Sequence, residues 1–462
     1  YSSGSVSGNS YVGGLVGYNW DGSIVASYST GSVTGTSDVG GLVGYGSSSA
    51  VASSFWDTRT SGQTTSAGGT GLITAEMQDI ETYQNAGWDF LGHVKDGLHE
   101  IWQMPEGGGY PVLARLSGCA LRQLQGQGTS DSPYLIFDAW DLGAVIHHSP
   151  SAHYRLAAPI DLSGIRWGTA VIPWFRGTFD GNNLTISHLT ISGRSYLGLF
   201  GELRNAKVLN LGLDAVDVNG TDDNVGGLVG SNSGDVMNCH STGAVSGDHR
   251  VGGLAGCNDG GIETSHSTNT VTARSSIGGL IGLNCGGGDV VRSYSTGAVR
   301  STDGCAGGLV GENYGSISSS YSTGSVSGSW CVGGLVGRNE GDAFWGGVMI
   351  SSSFWDIQTS GQATSAGGTG KTTAEMQTAK TLLDAGWDFV GETVNGPNDV
   401  WKIAEGLDYP RLWWEPYDGR VTVVLGQVFT VTLESNPSTG YRWEWVDHQD
   451  SIVEQMGEAQ FK

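Results

Sequence analysis

One phrase, V-G-G-L-V-G with a later Y-S-T-G, recurs along the chain. Its Gly-Gly-Leu core begins at Gly13, Gly40, Gly226, Gly252, Gly278, Gly307 and Gly333, spaced by 27 residues in a first array and by 26, 26, 29 and 26 in a second. A fixed period of this length constrains the fold more than any single residue does. One such unit cannot bury its own apolar face, so units must stack.

Within the unit that starts at Tyr11, three apolar or β-branched stretches stand out: Val12 to Val16, Ser23 to Tyr28, and Ser32 to Thr34. Asn19, Asp21-Gly22 and Gly31 separate them. Short strands bounded by such residues predict an all-β fold built of right-handed parallel β-helix arrays, three strands to a coil. Leu15, Val16, Val25 and their equivalents are expected to line the interior. The paired glycines are expected to allow a tight bend or close packing. A propeller blade needs about 40 residues, which the period does not supply.

The chain has 462 residues, 78 of them glycine, and no G-X-Y period, which excludes collagen. Its formal charge is -23 although only 15% of residues are charged. Without Lys/Arg clusters it is not expected to bind nucleic acid or anionic membranes. No apolar run is long enough for membrane insertion, and no secretory leader is recognisable. No cofactor is implied. The carboxylates leave room for structural calcium, although no calcium-loop motif occurs. Tyr1–Gly8 repeats the phrase at Tyr28–Gly35, so the chain is expected to be a piece of something longer.

Six cysteines, Cys119, Cys239, Cys257, Cys285, Cys305 and Cys331, form no C-x-x-C pair. Cys305 and Cys331 each precede their Gly-Gly by two residues and should stack one coil apart. Either they are buried free thiols or they form disulfides between neighbouring coils.

Each array ends in F-W-D and runs into the same non-repeating cassette. Thr74-Ala75-Glu76-Met77-Gln78 matches Thr373-Ala374-Glu375-Met376-Gln377, and Ala86-Gly87-Trp88-Asp89-Phe90 matches Ala385-Gly386-Trp387-Asp388-Phe389. The T-A-E-M-Q segment predicts a helix with its Thr at the N-cap, running to Tyr83 or Leu383. Trp56, Trp88, Trp102, Trp355, Trp387 and Trp401 are read as cap aromatics closing the exposed strand edge, or as a sugar-stacking platform. The domain reading is: 1–56, first array; 57–117, cassette; 118–153, junction with a helix from Ala139 to His147; 154–356, second array, opening with atypical coils; 357–419, second cassette; 420–462, a partial β-sandwich.

The Gly-Gly-Leu-Val-Gly units and their cassettes resemble the GLUG repeats of large bacterial surface and secreted proteins. The resemblance implies a secreted or cell-surface location and brings no catalytic residues. In the tail, Asn436, Pro437, Thr439, Gly440 and Tyr441 sit in a segment that resembles the start of a chagasin-type cysteine peptidase inhibitor, where such a loop enters a papain-like active site. A complete sandwich of that kind takes about 100 residues. The tail is therefore expected to be truncated, or to receive strands from elsewhere.

Catalysis on a β-helix needs paired carboxylates on one exposed face. Asp161, Asp180, Asp214 and Asp217 are the best acidic candidates. The scarce Lys/Arg do not recur in one column, and Asp161 and Asp180 sit in turns where Asp bonds locally, so no catalytic residue is assigned. His147, His148 and His153 are read as a surface junction rather than a metal site. His240 and His266 fall in the column of Tyr28 and are read as packing substitutions. The expected function is extracellular structure or adhesion, with head-to-tail self-association and a surface glycan as candidate partners. A carbohydrate-binding or carbohydrate-degrading β-helix and a peptidase-inhibitor module are the alternatives.

Overall fold

The computed structural model describes residues 1–415 except 21, 47–50, 94–96, 117–121 and 341–348. Cys119 and the tail loop at Asn436, Pro437, Thr439, Gly440 and Tyr441 lie outside the described residues, as does the rest of the expected partial sandwich.

The chain is a parallel β-solenoid of about 12 turns. In the first array Ser10–Gly13 pairs with Ser37–Gly40, Val16–Asn19 with Val43–Gly46, and Tyr28–Ser29 with Phe55–Asp57, all in parallel. In the second, one ladder runs from Tyr134–Ile136 to Thr369–Lys371.

Each regular coil holds more, shorter strands than expected. The Val12–Val16 stretch breaks at Gly14-Leu15, and the Ser23–Tyr28 stretch breaks at Ala26-Ser27. The second break is a left-handed corner occupied by Ala26, Ser53, Asn238, Thr264, Arg292, Ser319 and Ser352 in successive coils (φ 45–52°). A matching corner precedes the Val-Gly-Gly, at Tyr11, Asp38, Tyr196, Asn224, Arg250, Ser276 and Cys331 (φ 45–62°). Non-glycine residues rarely adopt this conformation, and stacking against identical corners holds it in place.

The paired glycines have negative φ, so space rather than backbone freedom explains them. A Cβ on the first would collide with a carbonyl of its own coil, as Gly226 with Val229. A Cβ on the second would strike the serine of Y-S-T-G: Gly253 meets Ser267 and Gly279 meets Ser295. The interior between them is a run of Leu and Val columns, with Leu228, Leu254, Leu280, Leu309 and Leu335 all fully buried.

Val25 is a correction. It is 47% exposed, and Ile24 is the inward residue. Strand side chains alternate, so a slip of one residue reverses the face. The inner column continues as Val236, Ile262, Val290 and Ile317, and the outer one as Met237, Glu263, Val291 and Ser318.

Buried polar residues form their own ladder. Asn232 donates to Asn258 (2.8 Å), Asn258 to Asn284 (2.8 Å), Asn284 to Asn313 (2.8 Å) and Asn313 to Asn339 (2.9 Å). Each side-chain amide also donates to a backbone carbonyl near its own turn, Asn232 to Gly234 for example. A buried amide left unpaired costs about 1–3 kcal/mol, so the column demands Asn at every step.

In the last coil of each array F-W-D replaces Y-S-T, placing Trp56 opposite Ser29 and Trp355 opposite Ser322. Each indole fills the space left by a second glycine, Gly41 or Gly334. Each donates to a loop carbonyl, Gln63 at 3.1 Å and Gln362 at 3.0 Å. That loop, through Ser66 or Ser365, accepts from the last interior backbone N–H groups. The opposite end of the second array is closed by the helix Ala139–Ala144 and the 3-10 turn Val145–His147, which bury Leu142, Ala144 and Val145 against the core.

Candidate functional site

Of the six tryptophans singled out in the sequence, the other four do not cover an end. They lie on the solenoid flank, over the column of the Y-S-T-G tyrosine. Trp88 and Trp102 pack with Tyr28, Phe55 and Tyr83; Trp387 and Trp401 pack with Tyr294, Tyr321 and Phe354. Trp88 donates to the Ser53 carbonyl (2.7 Å) and Trp387 to that of Ser352 (2.8 Å). All six tryptophans singled out in the sequence are 0–6% exposed, so none has a ring face open to a sugar.

The cassette helix also differs from the expectation. It is two short helices, Thr74–Met77 and Ile80–Gln84 in one cassette, Thr373–Met376 and Ala379–Leu383 in the other. The N-caps are Ile73 and Thr372, one residue before the expected threonines.

A buried carboxylate anchors each cassette. Asp57 accepts from the Arg59 and Thr60 amides (2.8 and 3.1 Å) and from the Tyr110 hydroxyl (2.5 Å). Burial pushes its pKa up, but the hydrogen bonds from Tyr110, Thr74 and the two amides prevail and hold it below the usual range. Asp356 accepts from the Gln358 and Thr359 amides, the Thr373 hydroxyl (2.6 Å) and the Tyr409 hydroxyl (2.6 Å). Saturated with donors, both carboxylates serve as structural pins.

The second cassette covers two more column positions. His240, His266, Tyr294 and Tyr321 stack in register with ring centroids 4.7–5.2 Å apart. Trp414 lies against both histidines. Burial, with His240 and Arg411 nearby, pulls the pKa of His266 well down. Glu415, which accepts from the Tyr294 hydroxyl (2.8 Å) and the Leu412 amide (2.6 Å), is raised because its burial outweighs those bonds.

The acidic candidates stay apart. Asp161 pairs with His188 (2.8 Å), Asp180 with Arg155 (3.5 Å) and Asp214 with His240 (3.3 Å). Asp217 lies in register with Ala244 of the next coil. His147 contacts the His99 carbonyl (2.6 Å) and His148 that of Ala144 (3.0 Å), while His153 begins a strand. Among the described residues no group of three or more His, Cys, Asp or Glu could hold a metal ion.

The outward positions beside the Gly-Gly corner are the ones the repeat leaves free to differ. In the second array one such column reads Trp174, Glu202, Ser231, Cys257, Leu283, Glu312, Arg338. A recess of about 400 Å³ opens there between Asp223, His249, Arg250, Ser276, Glu312 and Tyr314. Carboxylates and arginines interleave around it: Arg274 pairs with Asp248 (2.7 Å) and Arg338 with Glu312 (3.8 Å). In the first array the same outward positions carry Tyr11, Tyr18 and Tyr45, joined by Trp20. These four rings are 45–76% exposed. Reading the repeat for its fixed letters passed over them; the signal was the variable residue on either side of V-G-G-L-V-G.

Residues 8–34, 223–246, 247–272 and 302–327 match the GLUG motif. These four segments are GLUG motifs. Residues 422–462 match the chagasin family of peptidase inhibitors, I42. Over 162 residues the chain is 37% identical to halomucin of Haloquadratum walsbyi, a match covering 31% of this chain and 2% of halomucin's own length. A solved structure described as a candidate immunoglobulin A1 protease of Bacteroides ovatus aligns at 22% identity with a TM-score of 0.49, covering 63% of this chain and 95% of that one. No described helix is long and apolar enough to cross a membrane.

Proposed function

We propose that these GLUG coils form part of an extracellular structural or adhesive protein, a stiff shaft that presents variable outer columns. One observation carries this reading. The residues that define the motif, Gly-Gly, Leu, Val, Asn and Ser, face inward and build the stack, so the outer face can change from coil to coil without cost to the fold. The likeness to halomucin and the weakly charged, net acidic chain support a surface setting.

The test is protease shaving of intact producing cells, followed by detection of GLUG peptides in the supernatant. Release of those peptides without lysis supports the reading; their recovery only after lysis overturns it. Electron microscopy of the purified protein decides its self-associating form, since head-to-tail contacts that do not close give filaments. A polysaccharide-degrading enzyme would instead release reducing ends.

The match at 422–462 favours a second reading for the tail alone: contact with a papain-like peptidase through Asn436, Pro437, Thr439, Gly440 and Tyr441. Inhibition of papain by the whole chain, lost on Gly440→Ala, tests it.

A further inference from the structure

We propose that Tyr11, Tyr18, Trp20 and Tyr45 form a binding platform for a neutral glycan. The four rings form one cluster: Tyr18 meets Tyr45 at 5.4 Å between centroids, Tyr11 at 5.4 Å and Trp20 at 6.2 Å. Tyr18 is nearly parallel to both Trp20 (2°) and Tyr45 (14°). Trp20 is 76% exposed, whereas Trp56, Trp88, Trp102, Trp355, Trp387 and Trp401 are buried. A contiguous exposed aromatic patch on a polar surface marks a contact site.

Charge selects the ligand. Residues 1–58 contain no Lys, Arg or His, and their acids are Asp21, Asp38 and Asp57. Nothing there attracts a phosphate, sulfate or carboxylate, so nucleic acid, phospholipid and acidic polysaccharide are disfavoured. Beside the rings the exposed Ser37 hydroxyl donates to that of Ser10 (2.9 Å), leaving neutral donors and acceptors at the edge. Rings for the C–H face of a pyranose, with hydroxyls for its equatorial oxygens, fit an unsubstituted polysaccharide. Tyr18 and Tyr45 occupy one column in adjacent coils, so further coils of this type would extend the platform along the axis.

This deepens the surface reading and rests on it, but the two fail separately, because shaving reports location and the following reports the ligand. The whole chain is run in affinity gels containing unsubstituted glucan, mannan or galactan, and separately a sulfated polysaccharide. The Tyr18→Ala/Tyr45→Ala variant is compared with Trp330→Ala, which removes an exposed indole elsewhere, and circular dichroism checks folding. The expected result is retardation by a neutral polymer, weakened about tenfold or more in the double variant and unchanged in Trp330→Ala. Retardation by the sulfated polymer alone, equal retardation of both variants, or no retardation by any neutral polymer overturns the proposal. So does loss of a dimer in the double variant, which would make the patch a self-contact.

A separate observation supports a second inference. The Cys257 and Cys285 sulfurs lie 3.1 Å apart in adjacent coils. Cys305 and Cys331 occupy one column, their neighbours Ala306 and Val332 being paired. Adjacent strands are about 4.8 Å apart, inside the Cα window for a disulfide. We infer that both pairs close as inter-coil disulfides in an oxidising medium. Each loses two electrons and two protons to an oxidant such as hydrogen peroxide, which becomes two waters. Either thiol of the Cys257–Cys285 pair can donate to the other, so either sulfur can attack once deprotonated. Peptide mapping of peroxide-treated whole protein should show both linkages, and reduction should lower Tm by about 5 °C or more. Free thiols after oxidation, or other pairings, overturn it.

Discussion

The two cassettes are nearly the same object placed in different surroundings. Each pins a buried Asp with a tyrosine, and each seats two indoles on an aromatic column. Each also accepts a hydrogen bond from that column, Tyr28 to the Pro111 carbonyl (2.6 Å) and Tyr321 to that of Pro410 (2.5 Å). Beyond that they diverge. The first continues into the second array, where His99 is buried against Trp167 and contacts the Val171 carbonyl (2.6 Å). The second continues along its own column, laying Trp414 and Glu415 over His240 and His266. A cassette is therefore a portable cover whose trailing end decides whether it joins two arrays or seals one.

The largest test of this equivalence is the end-plugging indole. Trp355→Ala should cost about 3–5 kcal/mol in urea unfolding, because a large buried ring is lost beneath a glycine that cannot refill the space. Trp56→Ala should cost a similar amount, with the loss of amide protection confined to the first array. Lost protection in both arrays would show that the cassette couples them.

Acid separates the trailing ends. Burial holds His99 neutral down to about pH 4, whereas an unfolded histidine titrates near 6.5. Below pH 6.5 the unfolded chain takes up a proton that the folded chain refuses. Stability therefore falls between pH 6.5 and about 4, by up to about 3 kcal/mol. His147, also lowered by burial, acts in the same direction. Beneath the second cassette the lowered pKa of His266 also costs stability in acid, but Glu415 opposes it. Its raised pKa favours the folded state at low pH, and that contribution fades as pH rises through the folded value. Limited proteolysis at pH 5 should therefore open the first cassette's junction before the second cassette, and His99→Gln should flatten the difference.

Tyr110→Phe and Tyr409→Phe each remove one donor from a buried carboxylate and should each cost about 2 kcal/mol in urea melts. Unequal costs would break the structural equivalence. The smallest effect concerns the helix start. The Thr372 hydroxyl accepts from the Glu375 amide (3.3 Å), and Glu375 reaches back to the Thr372 amide (2.8 Å). Ile73 offers only the return bond from Glu76 (2.9 Å). Ile73→Thr should raise thermal stability by about 0.5–1 kcal/mol.

Much of the architecture was readable because it repeats. Glycine, leucine and asparagine at a fixed period specify coils, inner columns and their direction. What the sequence concealed was local. Val25 and Ile24 are both apolar, so alternation alone did not say which faced inward, and a neighbour on the next coil decided it. The corner residues vary from Ala to Thr to Arg, so no composition signal announced a left-handed turn. The cassette tryptophans carried no label for end or flank. That distinction depends on the Tyr28 and Tyr321 column pointing outward, which follows only after the one-residue register is known. The exposed aromatics escaped notice because they occupy the positions where the repeat is least like itself.

The asparagine ladder has a mechanical consequence. Its bonds run along the solenoid axis, one link per coil, alongside the backbone ladder. A pull applied between the two ends of an array loads the outermost coil first, and that coil can peel away while the rest stay seated. Each coil set free supplies about 26 residues, roughly 80 Å of slack once stretched, in place of the roughly 5 Å it occupied in the stack. Force–extension traces should therefore show a sawtooth of near-equal steps, the signature of a tether that yields by instalments and can rewind.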